Sequence, residues 1–385
     1  MSEPIAPGDA RALTRALVQL DSRNPTLAAG APGERVCATF LRDVLHAWGF
    51  HTDLLDASPG RPNLVARIGS PRAGRSLMFN GHLDVVGVEG MVHAPFAAEE
   101  RDGRLYGRGA TDMKGGIAAM CAAAWRAAQA GTRGEIIVAA VADEEYESLG
   151  TRALLARGIR ADGAIVAEPT RLAIMPAHRG FQWIEVVISG RAAHGSRWDL
   201  GIDAIRHAGL LLAELDRVDA DVQPLITHPL LGRASLHASL IEGGIGMSTY
   251  PDRCVLTLER RSIPGETTDD VIAEVERACA AVRSRRADFR SEIRLILSQQ
   301  PSDVSVDAPL VRELAHALEE NGESVRIEGM PAWTDAALLN AAGIPAICFG
   351  PGDIGLAHAA YEFIVLEEIE RATDALASFA GRWGY

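Results

Sequence analysis

Apolar residues recur at helical spacing over 9–21, 32–49, 115–130, 148–158, 199–219, 267–286, 308–321, 334–342 and 366–381, and each stretch is expected to form a helix. Pro32 suits the first turn of the second stretch. Short apolar runs at 63–68, 76–79, 135–142, 163–167 and 345–349 have strand character. Strands alternating with helices predict an α/β fold, a mixed, mostly parallel sheet covered by helices.

The middle of the chain has another texture. Residues 182–189 alternate polar and apolar, and the pattern returns at 235–241, 253–259 and 292–297, with the helical stretches 199–219 and 267–286 between. Four strands and two helices in the order βα-ββ-αβ predict a small α+β domain with one face of its sheet exposed. The expected division is therefore 1–177 and 299–385 for the α/β domain, with 178–298 inserted.

Composition narrows the class. The chain has 385 residues and a formal charge of −13, which argues against a duplex nucleic-acid binder, since that needs a basic face. The hydrophobic fraction of 48% with 23% charged residues is that of a folded globular protein. The N-terminus has no apolar h-region and no uncharged run approaches the ~20 residues that span a bilayer, so a cytoplasmic protein without membrane contact is expected. The five cysteines are scattered without a C-x-x-C pair, which suggests neither a disulfide framework nor a cysteine zinc site.

Metal-competent side chains cluster near predicted strand ends, where open α/β sheets place their sites. Asn80-Gly81-His82-Leu83-Asp84 follows 76–79, and a histidine so near an aspartate can bind metal through one nitrogen and donate from the other. Gly107-Arg108-Gly109-Ala110-Thr111-Asp112-Met113-Lys114-Gly115-Gly116 precedes a helix, so Asp112 reads either as a ligand or as a helix cap. It is no phosphate loop, because Asp112 stands where G-x-G-x-x-G needs its third glycine. Asp143-Glu144-Glu145 follows 135–142; one glutamate could bind metal while the other handles a proton. Glu168-Pro169-Thr170 follows 163–167, and His358 comes late in the chain. Two histidines and three carboxylates suit zinc, cobalt or manganese in a two-metal hydrolytic centre.

These segments, in this order, resemble the metallopeptidase superfamily of acetylornithine deacetylase, succinyl-diaminopimelate desuccinylase, aminoacylase and glutamate carboxypeptidase. The resemblance covers nearly the whole chain. It implies two zinc ions per subunit, replaceable by cobalt or manganese, with Asp112 bridging them, His82 and Glu168 completing one set of ligands, and Glu145 and His358 the other. It implies that Glu144 is the general base and that Asp84 orients His82. The inserted domain would be the lid and dimerisation domain of a homodimer. Gly190-Arg191-Ala192-Ala193-His194-Gly195-Ser196 matches the lid segment whose histidine stabilises the oxyanion in the partner's site. Arg261 would hold the substrate carboxylate, and its neighbour Arg260 could fill that role or be solvated.

The G-x-x-x-N-x-x-P that the family often shows is here Gly244 to Pro251 with Ser248 in place of asparagine, a shorter side chain without the two amide donors at a position expected to contact substrate. Lys114 is read as a structural contact, and Met175, His178 and Arg179 fall at the expected hinge. The histidines at 46, 51, 93, 178, 207, 228, 237 and 316 match no ligand position. The implied reaction is hydrolysis of an N-acyl amino acid, and Glu168, where the carboxypeptidase branch often has aspartate, favours a deacylase. A dipeptidase or glutamate-type carboxypeptidase is the alternative. A non-catalytic metal-binding relative is the reading from another class, and it would show as loss of Glu144 or of a ligand.

Overall fold

The computed structural model describes residues 4–70 and 74–384. The chain divides into two compact units, one formed by 4–70, 74–176, 304–330 and 334–384 and the other by 177–303 and 331–333.

The first unit is built on a mixed sheet. Its centre is parallel: Glu135–Val141, Leu77–His82, Gly163–Val166 and Ala346–Cys348 lie side by side in that order. Antiparallel strands flank them, with Arg61–Gly69 beside Glu135–Val141 and His51–Ser58 outside it. His51–Ser58 was not anticipated, because an edge strand half open to solvent carries no apolar run. The first metal-competent strand runs on through His82, so that histidine sits in the ladder rather than after it.

Helices cover the sheet. Gly115–Gln129 is buried almost all round between the sheet and the helices Leu366–Trp383 and Ala10–Val18. Asp9 starts Ala10–Val18 by accepting from the Ala12 amide at 2.9 Å. The second helix begins at Arg35, not at Pro32, because Gly33 at φ 72° breaks the chain ahead of it. Glu34 there is buried against Arg61.

The second unit contains an antiparallel sheet in the order Ser235–Gly243, Arg253–Ser262, Gly180–Ser189, Arg290–Gln299. The helices Ala204–Arg217 and Thr268–Arg285 pack on one face over a core of Ile184, Val186, Leu211, Leu256, Leu258 and Val275. Each is capped by its own sequence: Asp203 accepts from the Arg206 amide, and Thr267 with Asp270 forms a capping box. All five cysteines are buried thiols. Among the described residues no helix is long and apolar enough to cross a membrane.

Gly116 shows how tightly the first unit is closed around its sheet. A Cβ at this position would lie 2.0 Å from the Ala167 carbonyl oxygen, one residue before Glu168. Gly116→Ala is expected to cost about 1–3 kcal/mol through overpacking against rigid backbone. Urea unfolding measures it, and an unchanged midpoint would mean that the helix can move without penalty.

Candidate metal centre

The segments that follow the four central strands, with the turn 110–114 after Arg104–Tyr106, bring seven predicted residues of the first unit together. His82 ends one strand, and Asp143, Glu144 and Glu145 follow the next by one residue beyond Ala142. Asp143 adopts φ 69°, a turn that a short polar side chain tolerates, and it swings both glutamates out of the strand direction. Glu168 follows Gly163–Val166. Asp112 lies in a short irregular turn, 110–114, at φ −123° and ψ 92°, and its peptide bond to Met113 is cis. It is not the cap of the following helix, whose N-cap position is Lys114.

Two trios of donor atoms form, each with its atoms within 4.8 Å of one another: His82, Asp112 and Glu168, and Asp112, Glu145 and His358. Asp112 belongs to both. His82 Nε2 is 3.0 Å from its Oδ1, and His358 Nε2 is 3.4 Å from its Oδ2 and 3.0 Å from Glu145 Oε2. The first trio is buried throughout, while the His358 side chain in the second is 53% exposed. Glu144 reaches within 3.9 Å of His82 Nε2.

Crowding dictates the electrostatics. Burial, then the charge of Asp112, pushes Glu168 up to about 8. Burial raises Glu144 well above its ordinary value and raises Glu145, the latter with help from Asp112. Burial would raise Asp112 too, but hydrogen bonds with His358 and His82 overcome it and hold this carboxyl well below the usual range. Burial opposes a proton on His358, yet Asp112 and Glu145 lift it to about 10, and Asp112 with Glu144 and Glu168 raises His82 against burial. The raised proton affinities of Glu144, Glu145, Glu168, His82 and His358 mark a cluster short of positive charge. A divalent ion in each trio would supply that charge, and the hard oxygen and imidazole donors suit zinc, cobalt or manganese.

Asp84 does not act on His82 as expected. The His82 Nδ1 partner is the Asp84 backbone carbonyl, at 2.9 Å, whereas the carboxylate stands 3.8 Å away. The carboxylate instead accepts the amides of Glu144 at 3.1 Å and Glu145 at 3.3 Å, because the turn after Asp143 aims them inward. Asn24 Nδ2 bonds Asp84 Oδ2 at 2.8 Å and Asp143 Oδ1 at 3.0 Å, and Arg61 Nη1 reaches Asp143 at 2.6 Å. Asn24, Arg61 and Glu34 were not foreseen, since nothing near them in the sequence marks a site. Asp335 was also missed: it accepts from Thr151 Oγ1 at 2.6 Å, and burial pushes it up to about 6. Arg108 lies inside the glycine-rich motif and Glu362 four residues after His358, and neither carried a role in the sequence reading. Lys114 makes a structural contact, donating to the Leu20 carbonyl at 2.7 Å.

His194, Ser248 and Arg261 belong to the second unit. There 193–195 pairs with 248–250: the Gly195 amide donates to the Ser248 carbonyl at 2.7 Å and Tyr250 to Ala193 at 2.9 Å, so exposed His194 and Ser248 are neighbours. Arg260 is neither solvated nor free. It is 1% exposed and ion-paired with Glu266 and Glu274. Arg261 points to the other face, paired with Glu259 at 2.5 Å and stacked 5.2 Å from the Phe181 ring centroid. His178 is buried with Nδ1 on the Arg179 carbonyl at 2.9 Å, and burial pushes it down to about 4.

Residues 78–382 match the model of peptidase family M20/M25/M40. The chain is 33% identical over 348 residues to acetylornithine deacetylase of Myxococcus xanthus, covering 86% of this chain and 88% of that protein. It is 30% identical over 380 residues to N-formyl-4-amino-5-aminomethyl-2-methylpyrimidine deformylase of Bacillus subtilis, covering 90% of this chain and 88% of that one. A tripeptidase from Staphylococcus aureus superposes with a TM-score of 0.80 at 18% identity over 99% of both chains. The chain belongs to peptidase family M20/M25/M40, and it is a metal-dependent hydrolase of amide bonds.

Proposed function

We propose that this enzyme is a two-zinc deacylase that cleaves the amide of an N-acyl amino acid. The observation that carries the reading is the shared Asp112, with one oxygen facing each histidine. His82 and Glu168 would complete the ligands of one ion, Glu145 and His358 those of the other. Ions bound there would polarise the amide carbonyl and acidify the attacking water towards neutral pH. Cobalt or manganese would serve in place of zinc.

Glu144 is the general base: it takes a proton from the attacking water and delivers it to the leaving amine, so that amide and water become carboxylate and amine. Its buried position raises its proton affinity above that of a solvated carboxylate. In the second unit, Arg261 is the carboxylate anchor, since burial and ion pairing occupy Arg260. The Ser196 amide approaches His194 Nδ1 at 3.3 Å, which leaves Nε2 as the nitrogen to donate to an oxyanion. Ser248 is the substrate contact beside it.

Similarity to acetylornithine deacetylase and to a deformylase supports acyl removal over peptide cleavage. The same reading makes the protein a cytoplasmic homodimer joined through the second unit. In support, the edge strand Ser235–Gly243 exposes Leu240 and Ile241, and Ile245 and Met247 follow on an exposed loop.

A panel of N-acetyl, N-formyl and N-succinyl amino acids with dipeptides tests the substrate class by amine release. Chelator-sensitive hydrolysis confined to acyl amino acids is expected, whereas preference for dipeptides would move the protein to the peptidase reading. Glu144→Gln should retain metal and lose about 10²–10⁴-fold in kcat, and near-normal turnover would remove Glu144 as the base.

Zinc binding should release protons, because His82 and His358 hold them when no metal is present and Glu168 is raised to about 8. Because these protons compete with the metal, raising the pH from about 6 to 8 lowers the cost of displacing them and should tighten binding. Calorimetry in buffers of different ionisation enthalpy measures the release, and a pH-independent affinity would contradict it.

A further inference from the structure

We propose that Glu362, locked by Arg108, is a positioning residue that aims the shared carboxylate of Asp112 at both trios. The inference rests on the two-trio metal reading and goes beyond it, because neither Glu362 nor Arg108 is a ligand.

Glu362 is fully buried, and its Oε1 accepts two consecutive main-chain amides, Thr111 at 3.0 Å and Asp112 at 3.2 Å. Its Oε2 accepts from Arg108 Nη1 at 2.7 Å. Arg108 is 3% exposed; it also donates from Nε to the Gly87 carbonyl at 2.9 Å and approaches the carbonyls of Ala359 and His358 at 3.4 Å. The main chain adds a further tie, from the Gly107 amide to the Glu362 carbonyl at 3.2 Å, and His93 Nε2 donates to the same carbonyl at 3.1 Å. Segments 107–112 and 358–362, remote in sequence, are thus laced together, and each ends on a member of the second trio.

The backbone of Asp112 needs this support. It is neither helix nor strand, so its amide and that of Thr111 have no ladder partner, and burial without an acceptor would be costly. A carboxylate that accepts both amides fixes the peptide plane from which the Asp112 side chain departs. A buried ion pair is by itself weak evidence for stability. Here its hydrogen bonds go to the main chain that carries the shared ligand, which points to orientation. A small rotation of Asp112 would move both oxygens, so losing Glu362 should weaken both metal sites together, whereas losing His358 should weaken one.

The test uses Glu362→Gln in the full-length protein, with Glu362→Asp as a second variant that keeps the charge but shortens the reach. Zinc affinity is measured by competition with a chromophoric chelator, and the visible spectrum of the cobalt-loaded protein reports ligand geometry. Both sites are expected to weaken about 10–100-fold, with altered cobalt bands. Glu266→Gln, which breaks the buried Arg260 pair in the second unit, is the control for lost stability and should leave zinc affinity unchanged.

Two zinc ions bound by Glu362→Gln within about threefold of wild type, with an unaltered cobalt spectrum, would overturn the proposal and leave the metal reading standing. If Glu362→Gln does not fold, the same criterion applies to Glu362→Asp. Wild-type protein that binds no zinc or cobalt would overturn both.

Discussion

The first unit is organised around a single electrostatic difficulty: Asp112, Glu144, Glu145 and Glu168 occupy one small volume largely withdrawn from water. Like charges there cannot all ionise without a compensating cation or protons. The two imidazoles flank Asp112, one on each oxygen, and their proton affinity is raised there. Two buried arginines, Arg61 and Arg108, lie close at hand, yet among the described residues their ion pairs go to Glu34 and Asp143 and to Glu362, not to a carboxylate of the trios. An arginine facing the ligands would neutralise them permanently. Directed outward, the guanidinium charges leave the carboxylates free for a divalent ion.

Holding such a group in place falls to the main chain. The loops after parallel strands have no ladder of their own, and their amides are taken by carboxylates outside the two trios. Asp84 grips the amides of Glu144 and Glu145, and Glu362 those of Thr111 and Asp112. Each gripping carboxylate is tied further back, Asp84 through Asn24 to Asp143 and Arg61, Glu362 to Arg108. The side chains of the two trios can then face one another at short range without the loops drifting apart.

The second unit makes its own division of labour by strand periodicity. Consecutive residues on Arg253–Ser262 point to opposite faces, so Arg260 turns to the helices and is consumed by Glu266 and Glu274. Arg261 turns to the other face beside Phe181, Trp183 and Glu259. Two identical neighbours in the sequence thereby acquire unrelated environments.

Much was legible in the sequence because the information is local. Helices such as Thr268–Arg285 carry their own caps, the central strands carry continuous apolar runs, and His82, Asp112, Glu145, Glu168 and His358 sit in short motifs of fixed order. The remainder depends on contacts between distant segments, which no local pattern encodes. Asn24, Arg61, Arg108 and Glu362 look like ordinary polar residues until folding buries them, and burial converts each unsatisfied group into an obligation to find a partner. The choice between Arg260 and Arg261, and the use of the Asp84 carbonyl in place of its carboxylate on His82, were decided at that level. Sequence alone determined which groups could bind a metal and move a proton; tertiary structure decided which atoms face one another, because hydrogen-bond geometry at about 3 Å is set by packing across the whole fold.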